Sequence, residues 1–263
     1  MLKGIYAAAS AMIVGLNRQT IISHNIDNLD TPGFKEIMTS MDDYMDTAVS
    51  EKSLTNGTSS SLPFTGNQGI HKLRRIGDLG LGVMNNPETT NFDQGSLEIT
   101  NQPLDLAIEG AGFFRVQTPD GIRYTRDGRF IRDAAGTLVT VDGYSVLGKN
   151  GAAIKLAEGD ISIKSDGTIS VAEKTVGQID LVAFKDPEKE LTRDLPNTFN
   201  AAGAPTSTEI GRMEQGSLET TNVDTAKLMA QMVSTTRAYE AAQQLMKVQD
   251  DLLGKSISSL GRF

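Results

Sequence analysis

The chain has 263 residues, 38% of them hydrophobic and 22% charged, which is a globular composition long enough to bury a core. A net charge of -8, from 33 acidic and 25 basic residues, disfavours nucleic acid or an anionic membrane as partner and makes other proteins the default. Cysteine is absent and the only histidines are His24 and His71, which excludes disulfides, thiolate chemistry and most zinc arrangements; no metal or cofactor is expected.

Residues 1 to 29 place Leu2, Ile5, Ala9, Met12, Leu16 and Ile26 at steps of three and four, with Gln19 and Ser23 on the same track. This spacing predicts a helix with a heptad seam, and its sparse charge (Lys3, Arg18, Asp27) predicts cover on several sides. The apolar pattern continues past Asn17-Arg18 through Ile21, Ile22 and Leu29, so the segment reads as a mature helix rather than a cleaved secretory signal. No stretch approaches the run of ~18 apolar residues needed to span a membrane.

Residues 36 to 91 follow neither the helical nor the strand period, with Thr55 to Ser61 and a series of glycines at their centre, and read as an extended connector. From residue 92 short strand-like runs appear: Phe113 to Val116, Thr137 to Val141 and Gln178 to Phe184. Asp120-Gly121, Asp127-Gly128, Asp142-Gly143, Asn150-Gly151 and Asp166-Gly167 punctuate them, supplying the positive φ angles of tight turns. This part is an all-β domain. The octapeptide Gln94 to Asn101 recurs as Gln215 to Asn222 with one difference, Ile99 against Thr220. The two copies bracket the β region as though the chain enters and leaves it by paired strands.

Beyond residue 222, capped by Asn222 or Asp224, a second helix carries Met232, Tyr239, Met246, Leu253 and Leu260 seven apart. A smaller, more polar companion track runs through Leu228, Thr235, Ala242, Gln249 and Ser256 and suits close packing. The fold class is therefore α+β: long, coiled-coil-like helices at both termini flanking a central all-β domain. The division is 1-35 with 220-263 as a terminal helical assembly domain, 36-91 as connector and 92-219 as β domain.

No catalytic chemistry is legible. Gly143 to Lys149 imitates a phosphate-binding loop, but Asn150 replaces the metal-binding hydroxyl and a strand-like run follows instead of a helix. His71 to Arg75 is a basic cluster that reads as a solvated face. His24 is placed as a hydrogen-bonding residue near a helix end, and no carboxylate pair or nucleophile motif stands out.

Ser23 to Lys35, an Asn-rich helix end running into Thr31-Pro32-Gly33-Phe34-Lys35, resembles the N-terminal signature of flagellar rod and hook proteins. Gln94 to Leu97 with Pro103 to Ile108 and Gly110 to Phe114 is similar to the stretch that leads into that family's β domain. Tyr124 to Phe130 matches another family block, and Gln215 to Val223 with Arg237 to Glu240 matches the C-terminal signature. His24 and Asp27 depart from the usual pattern, which has Asn and a small residue there.

The resemblance covers nearly the whole chain and implies a non-enzymatic structural subunit of the basal-body rod, of the distal type. It would self-assemble into a helical tube that transmits torque from motor to hook. Another axial member, proximal rod or hook-type, is the first alternative, and a secreted β-domain enzyme the second. The implied location is the basal body, across the periplasm and cell wall after export. The implied partners are copies of itself, proximal rod, hook and ring proteins and the export apparatus, without nucleic acid or membrane insertion. The assembly interface is expected on Leu2, Ile5, Met12, Leu16, Ile26, Met232, Tyr239, Met246, Leu253 and Leu260, with Asn25, Asn28, Thr31, Gly33 and Phe34 as family motif residues.

Overall fold

The structure is a computed structural model that describes residues 2–43, 46–51, 74–80, 82–172, 174–195, 197–205 and 210–260. For 2–3, 41–43, 46–51, 74–80, 195 and 259–260 it describes the backbone alone. Helix α1 spans Leu2–Asp27, the one-turn α2 Pro187–Glu190 and α3 Thr225–Leu260; the other regular elements among the described residues are strands. The α+β class holds: a helix at either end and β structure between. The chain forms two compact units, one of residues 1–19, 40–87 and 233–263, the other of 20–39 and 88–232. No described helix is long and apolar enough to cross a membrane.

In the first unit α1 and α3 run antiparallel, with Gly4 against Gln249 and Gly15 against Tyr239. A Cβ at Gly4 would lie 2.7 Å from the Gln249 amide, so the helices meet where α1 has no side chain. The inward face of α1 carries Gly4, Ala8, Ala11 and Gly15, and on α3 Thr235 and Ala242 are buried while Tyr239, Met246, Gln249 and Leu253 are half-covered. The heptad period expected from the sequence is present on α3, but its small companion track is the deepest one. On α1 the seam is displaced: Ile5, Ala9 and Met12 are half-buried and Leu16 is exposed, because small residues permit the closer backbone approach. The side chains of Leu2 and Leu260 lie outside the described residues.

Where the sequence suggests an extended connector, the chain pairs with itself. Met41–Asp43 lies antiparallel to Val83–Asn85, and Asp46–Glu51 to Arg74–Gly80, with a register shift at Val49/Ser50. The inward-facing backbone groups of each arm are thus met by the returning arm, a pairing that no local hydrophobic pattern announces. Ser10 Oγ accepts from the Val83 amide at 3.1 Å and ties this hairpin to α1. Thr55 to Ser61 and His71 to Leu73 lie outside the described residues.

The second unit holds the β domain. Its largest sheet runs in the order 130–132, 138–140, 145–146, 113–118, 121–125, 198–201, 191–195, with 181–182 also pairing with 113–118. Adjacent residues of a strand face opposite sides, so Phe113 and Phe114 serve two cores. Phe114 packs with Leu106, Val116, Phe130, Leu138 and Ile169; Phe113 packs with Tyr124, Phe184, Leu191 and Phe199. Three further strands, 161–163, 168–171 and 174–178, form a meander, and Ile163, Ile169 and Val171 join the Phe114 core.

Four of the five Asp-Gly and Asn-Gly pairs close turns as expected, with φ of 125° at Gly121, 86° at Gly143, 75° at Gly151 and 83° at Gly167. Gly128 is the exception. Its φ is ordinary, and it is required because a Cβ would fall 1.6 Å from the Leu106 carbonyl oxygen. The phosphate-loop imitation is a hairpin: Gly148 donates to Ala152 O at 2.9 Å and Gly151 to Gly148 O at 2.7 Å.

Candidate functional site

The signature at the end of α1 is built to leave the helix and mimic a strand edge. Asn25, buried, donates from Nδ2 to Ile37 O (2.8 Å) and accepts from Ile37 N at Oδ1 (3.0 Å). Asn28 donates to His24 O at 2.8 Å and accepts from Thr31 Oγ1 at 3.3 Å, which closes the turn. Gly33 follows with φ of 70°; a Cβ there would meet the Arg126 carbonyl carbon at 2.4 Å. Phe34 is fully buried and clusters with Ile21, Ile37 and Val223. Each family motif residue therefore has a conformational or packing task. At His24, expected to hydrogen-bond near the helix end, Nδ1 has no partner among the described residues, and the ring lies 5.7 Å from that of Phe34. Asp27 is exposed, so its charge stays out of this packing.

The centre of the site is a group of charges that the sequence reading did not single out. Lys35 and Glu219 have side chains 0% exposed, and Arg126 5%. Lys35 Nζ donates to Glu219 Oε1 at 2.6 Å and to Asp93 O at 2.7 Å. Arg126 Nη1 donates to Glu219 Oε2 at 3.1 Å, Arg126 Nη2 donates to Gly110 O at 2.9 Å, and the guanidinium lies over the Phe113 ring. The Gly95 amide donates to Glu219 Oε1 at 3.0 Å, and the Gly33 amide to the Glu219 carbonyl at 2.7 Å.

Two cations face one carboxylate, so the cluster buries a net positive charge. Burial pushes the Lys35 amine below the usual lysine range, with the Glu219 carboxylate opposing. Arg126 is lowered for the same reason. Arg193, whose guanidinium stacks on Phe34 and Phe199 and donates to Lys35 O at 2.7 Å, is lowered by burial to about 10, with Glu88 opposing.

The arrangement binds the chain to itself. Asn197 Nδ2 bridges Pro32 O (3.0 Å) and Asp127 Oδ2 (3.1 Å), and Asn222 accepts from the Glu36 amide and donates to Asn91 O and Asp93 O. Asp224, not Asn222, caps α3, accepting from Ala226 N at 2.9 Å. Lys35, Arg126 and Glu219 each sit inside one of the blocks that carry the family resemblance. A charged residue among glycines and apolar residues in a strand-forming segment was the available signal, but it does not name its partners. Among the described residues no group of three or more His, Asp or Glu side chains could hold a metal ion.

On the outer side of the first unit the terminal helices expose a different surface. α1 presents Tyr6, Ile13 and Leu16, and α3 presents Ala238, Ala241, Leu245, Val248 and Leu252, again at steps of three and four. Of the expected interface, Ile5, Met12, Ile26, Met232, Tyr239, Met246 and Leu253 are half-buried within the chain, and Leu16 alone belongs to this outer surface.

Comparison with known proteins places these segments. Residues 5–35 match the model for flagella basal body rod protein, 107–171 that for the flagellar hook protein FlgE/F/G D1 domain, and 214–260 that for the flagellar basal body rod FlgEFG protein C-terminal region. The chain is 31% identical to flagellar basal-body rod protein FlgG of Bacillus subtilis, over 98% of this chain and 99% of that protein. It is 32% identical to FlgG of Borreliella burgdorferi over 97% of each chain, and 32% identical to FlgF of Caulobacter vibrioides over 96% and 98%. The chain accordingly belongs to the flagellar basal-body rod proteins, a structural and not an enzymatic family of the flagellar basal body.

Proposed function

We propose that the chain is a distal-type rod subunit that polymerises head to tail into a helical tube through the outer faces of α1 and α3. The carrying observation is the second apolar stripe: α3 already covers one heptad face within the chain, yet Leu245, Val248 and Leu252 form another that is exposed. A contiguous apolar face of this kind marks an interaction surface, and a helix apolar on two stripes packs against more than one neighbour. A heterologous contact that does not close into a ring generates a filament, as a rod requires. Coiled-coil packing between copies belongs to this reading, as do contacts at the two ends of the tube with proximal rod, hook and ring proteins and delivery by the export apparatus. The relatives named FlgG support the distal assignment. The similarly distant FlgF relative supports another axial position as the second reading.

One residue of the outer stripe tests it. Leu245→Asp puts a charge on the outer stripe and is expected to leave the monomer folded while raising the critical concentration for polymerisation at least ~10-fold, since burying an unpaired charge costs several kcal/mol. Sedimentation and negative-stain imaging read the polymer, and circular dichroism reads the fold. Straight rods from Leu245→Asp at the wild-type concentration would defeat the proposal.

A further inference from the structure

We infer that Glu219 is a closure switch that lets the N-terminal segment dock only when the C-terminal strand is in place, so that both assembly helices are anchored together or not at all. The inference rests on the polymerisation reading for its purpose, but not for its physics.

The two large apolar clusters of the β domain draw all their members from between Phe92 and Met213. Neither terminal segment contributes to them, so the β core is complete without the ends. The docking site for residues 33–36 is not. The Gly33 amide needs the Glu219 carbonyl, the Lys35 amine needs the Glu219 carboxylate, and the Glu36 amide needs the Asn222 side chain. Phe34, Ile21 and Ile37 also pack with Val223. Before Ser217–Glu219 pairs with Leu97–Ile99, Lys35 would enter a space already holding the Arg126 cation with no buried anion, the nearby Asp93 carboxylate being exposed to solvent. Two buried cations without a buried counter-ion repel each other and lose hydration, so the undocked state is favoured. Once Glu219 arrives, its two carboxylate oxygens and its carbonyl satisfy both cations and two amides. The last turns of α1 (Thr20 to Asp27) and the first turn of α3 flank this junction in sequence, so closure sets the bases of both helices in one step.

Hydrogen exchange on the full-length chain tests this. Glu219→Gln presents an amide donor to two cationic donors. It is expected to speed exchange at Gly33 and Ile37 about 100-fold or more, the scale of a broken buried ion pair. Exchange across 113–118 and 121–125 should stay unchanged. Gly33→Ala, which undocks the same segment from the other side while keeping Glu219, should give the same pattern if Glu219→Gln does not yield soluble protein. Glu98→Gln, at the equivalent position of the first octapeptide, should do nothing. Equal acceleration across 113–118 would reduce Glu219 to part of the general core, and unchanged exchange at Gly33 would remove the switch altogether. In the assembly arm, wild-type rods with Glu219→Gln polymerising at the same concentration would overturn the inference. If the wild type forms no rods, the polymerisation reading falls, while the exchange result still decides the closure mechanism.

Discussion

The two octapeptides Gln94 to Asn101 and Gln215 to Asn222 share seven of eight residues and pair with each other, Leu97 opposite Glu219 and Glu98 opposite Leu218. They nevertheless do different work. Glu98 points to solvent while Glu219 is fully buried among two cations. Gly95 is needed because a Cβ would fall 1.9 Å from the Thr220 carbonyl oxygen, whereas Gly216 is needed for a φ of 77°. Asn101 adopts a positive φ of 58°, and Asn222 bridges three backbone groups. Even the glutamines diverge: Gln94 clasps Ile108 and Gly110, and Gln215 clasps Pro103, Ile161 and Ile163. A short sequence prescribes a strand and its hydrogen-bonding capacity; what that strand holds depends on which face its neighbours cover.

The sharpest test of this asymmetry is Glu219→Ala against Glu98→Ala. Removing Glu219 strands two buried cations, so the helical signal should lose about 3–5 kcal/mol of stability and melt in urea ahead of the β signal. Glu98→Ala should stay within about 0.5 kcal/mol of the wild type, as exposed substitutions do. Similar losses at both positions would mean that the pairing of the two strands, not the buried charge, is the source of stability.

The glycines give a smaller contrast. Gly95→Ala forces backbone to move and should cost about 3 kcal/mol, while Gly216→Ala pays the left-handed conformation alone, about 1–2 kcal/mol. Urea midpoints at constant slope would order them, and a reversed order would show that the Thr220 approach relaxes easily.

The smallest effect is on pH dependence. Burial lowers the Lys35 pKa in the folded chain, so as pH rises toward 10.5 the native state releases its proton first and the unfolded state holds more protons. The Lys35 contribution to stability therefore increases with pH across the window just below 10.5 and falls away as pH drops through the folded value. Arg193, lowered to about 10, adds the same sign at higher pH. Lys35→Met should flatten the slope of unfolding free energy in the window just below pH 10.5; an unchanged slope would assign it elsewhere.

Much of this protein is legible locally. Heptad spacing announces both terminal helices, and Asp-Gly and Asn-Gly pairs announce four of the turns, because period and φ preference are properties of neighbouring residues. The pairings of 41–43 with 83–85 and of 46–51 with 74–80 are not legible, since they satisfy backbone groups without an alternating apolar pattern. The depth of the two α3 tracks is also not legible: Met246 looks like the better core residue by hydrophobicity, yet Ala242 is more buried because its small size lets α1 approach.

The sequence by itself determined the α+β order, the strand-forming character of the repeated octapeptides and the family to which the chain belongs. Only the tertiary structure decided that Lys35, Arg126 and Glu219, separated by 91 and 93 positions along the chain, form one buried cluster. Local rules act over a few residues, whereas the choice between a solvated carboxylate at 98 and a buried one at 219 is made by the charges and backbone amides that distant segments bring within 3.1 Å.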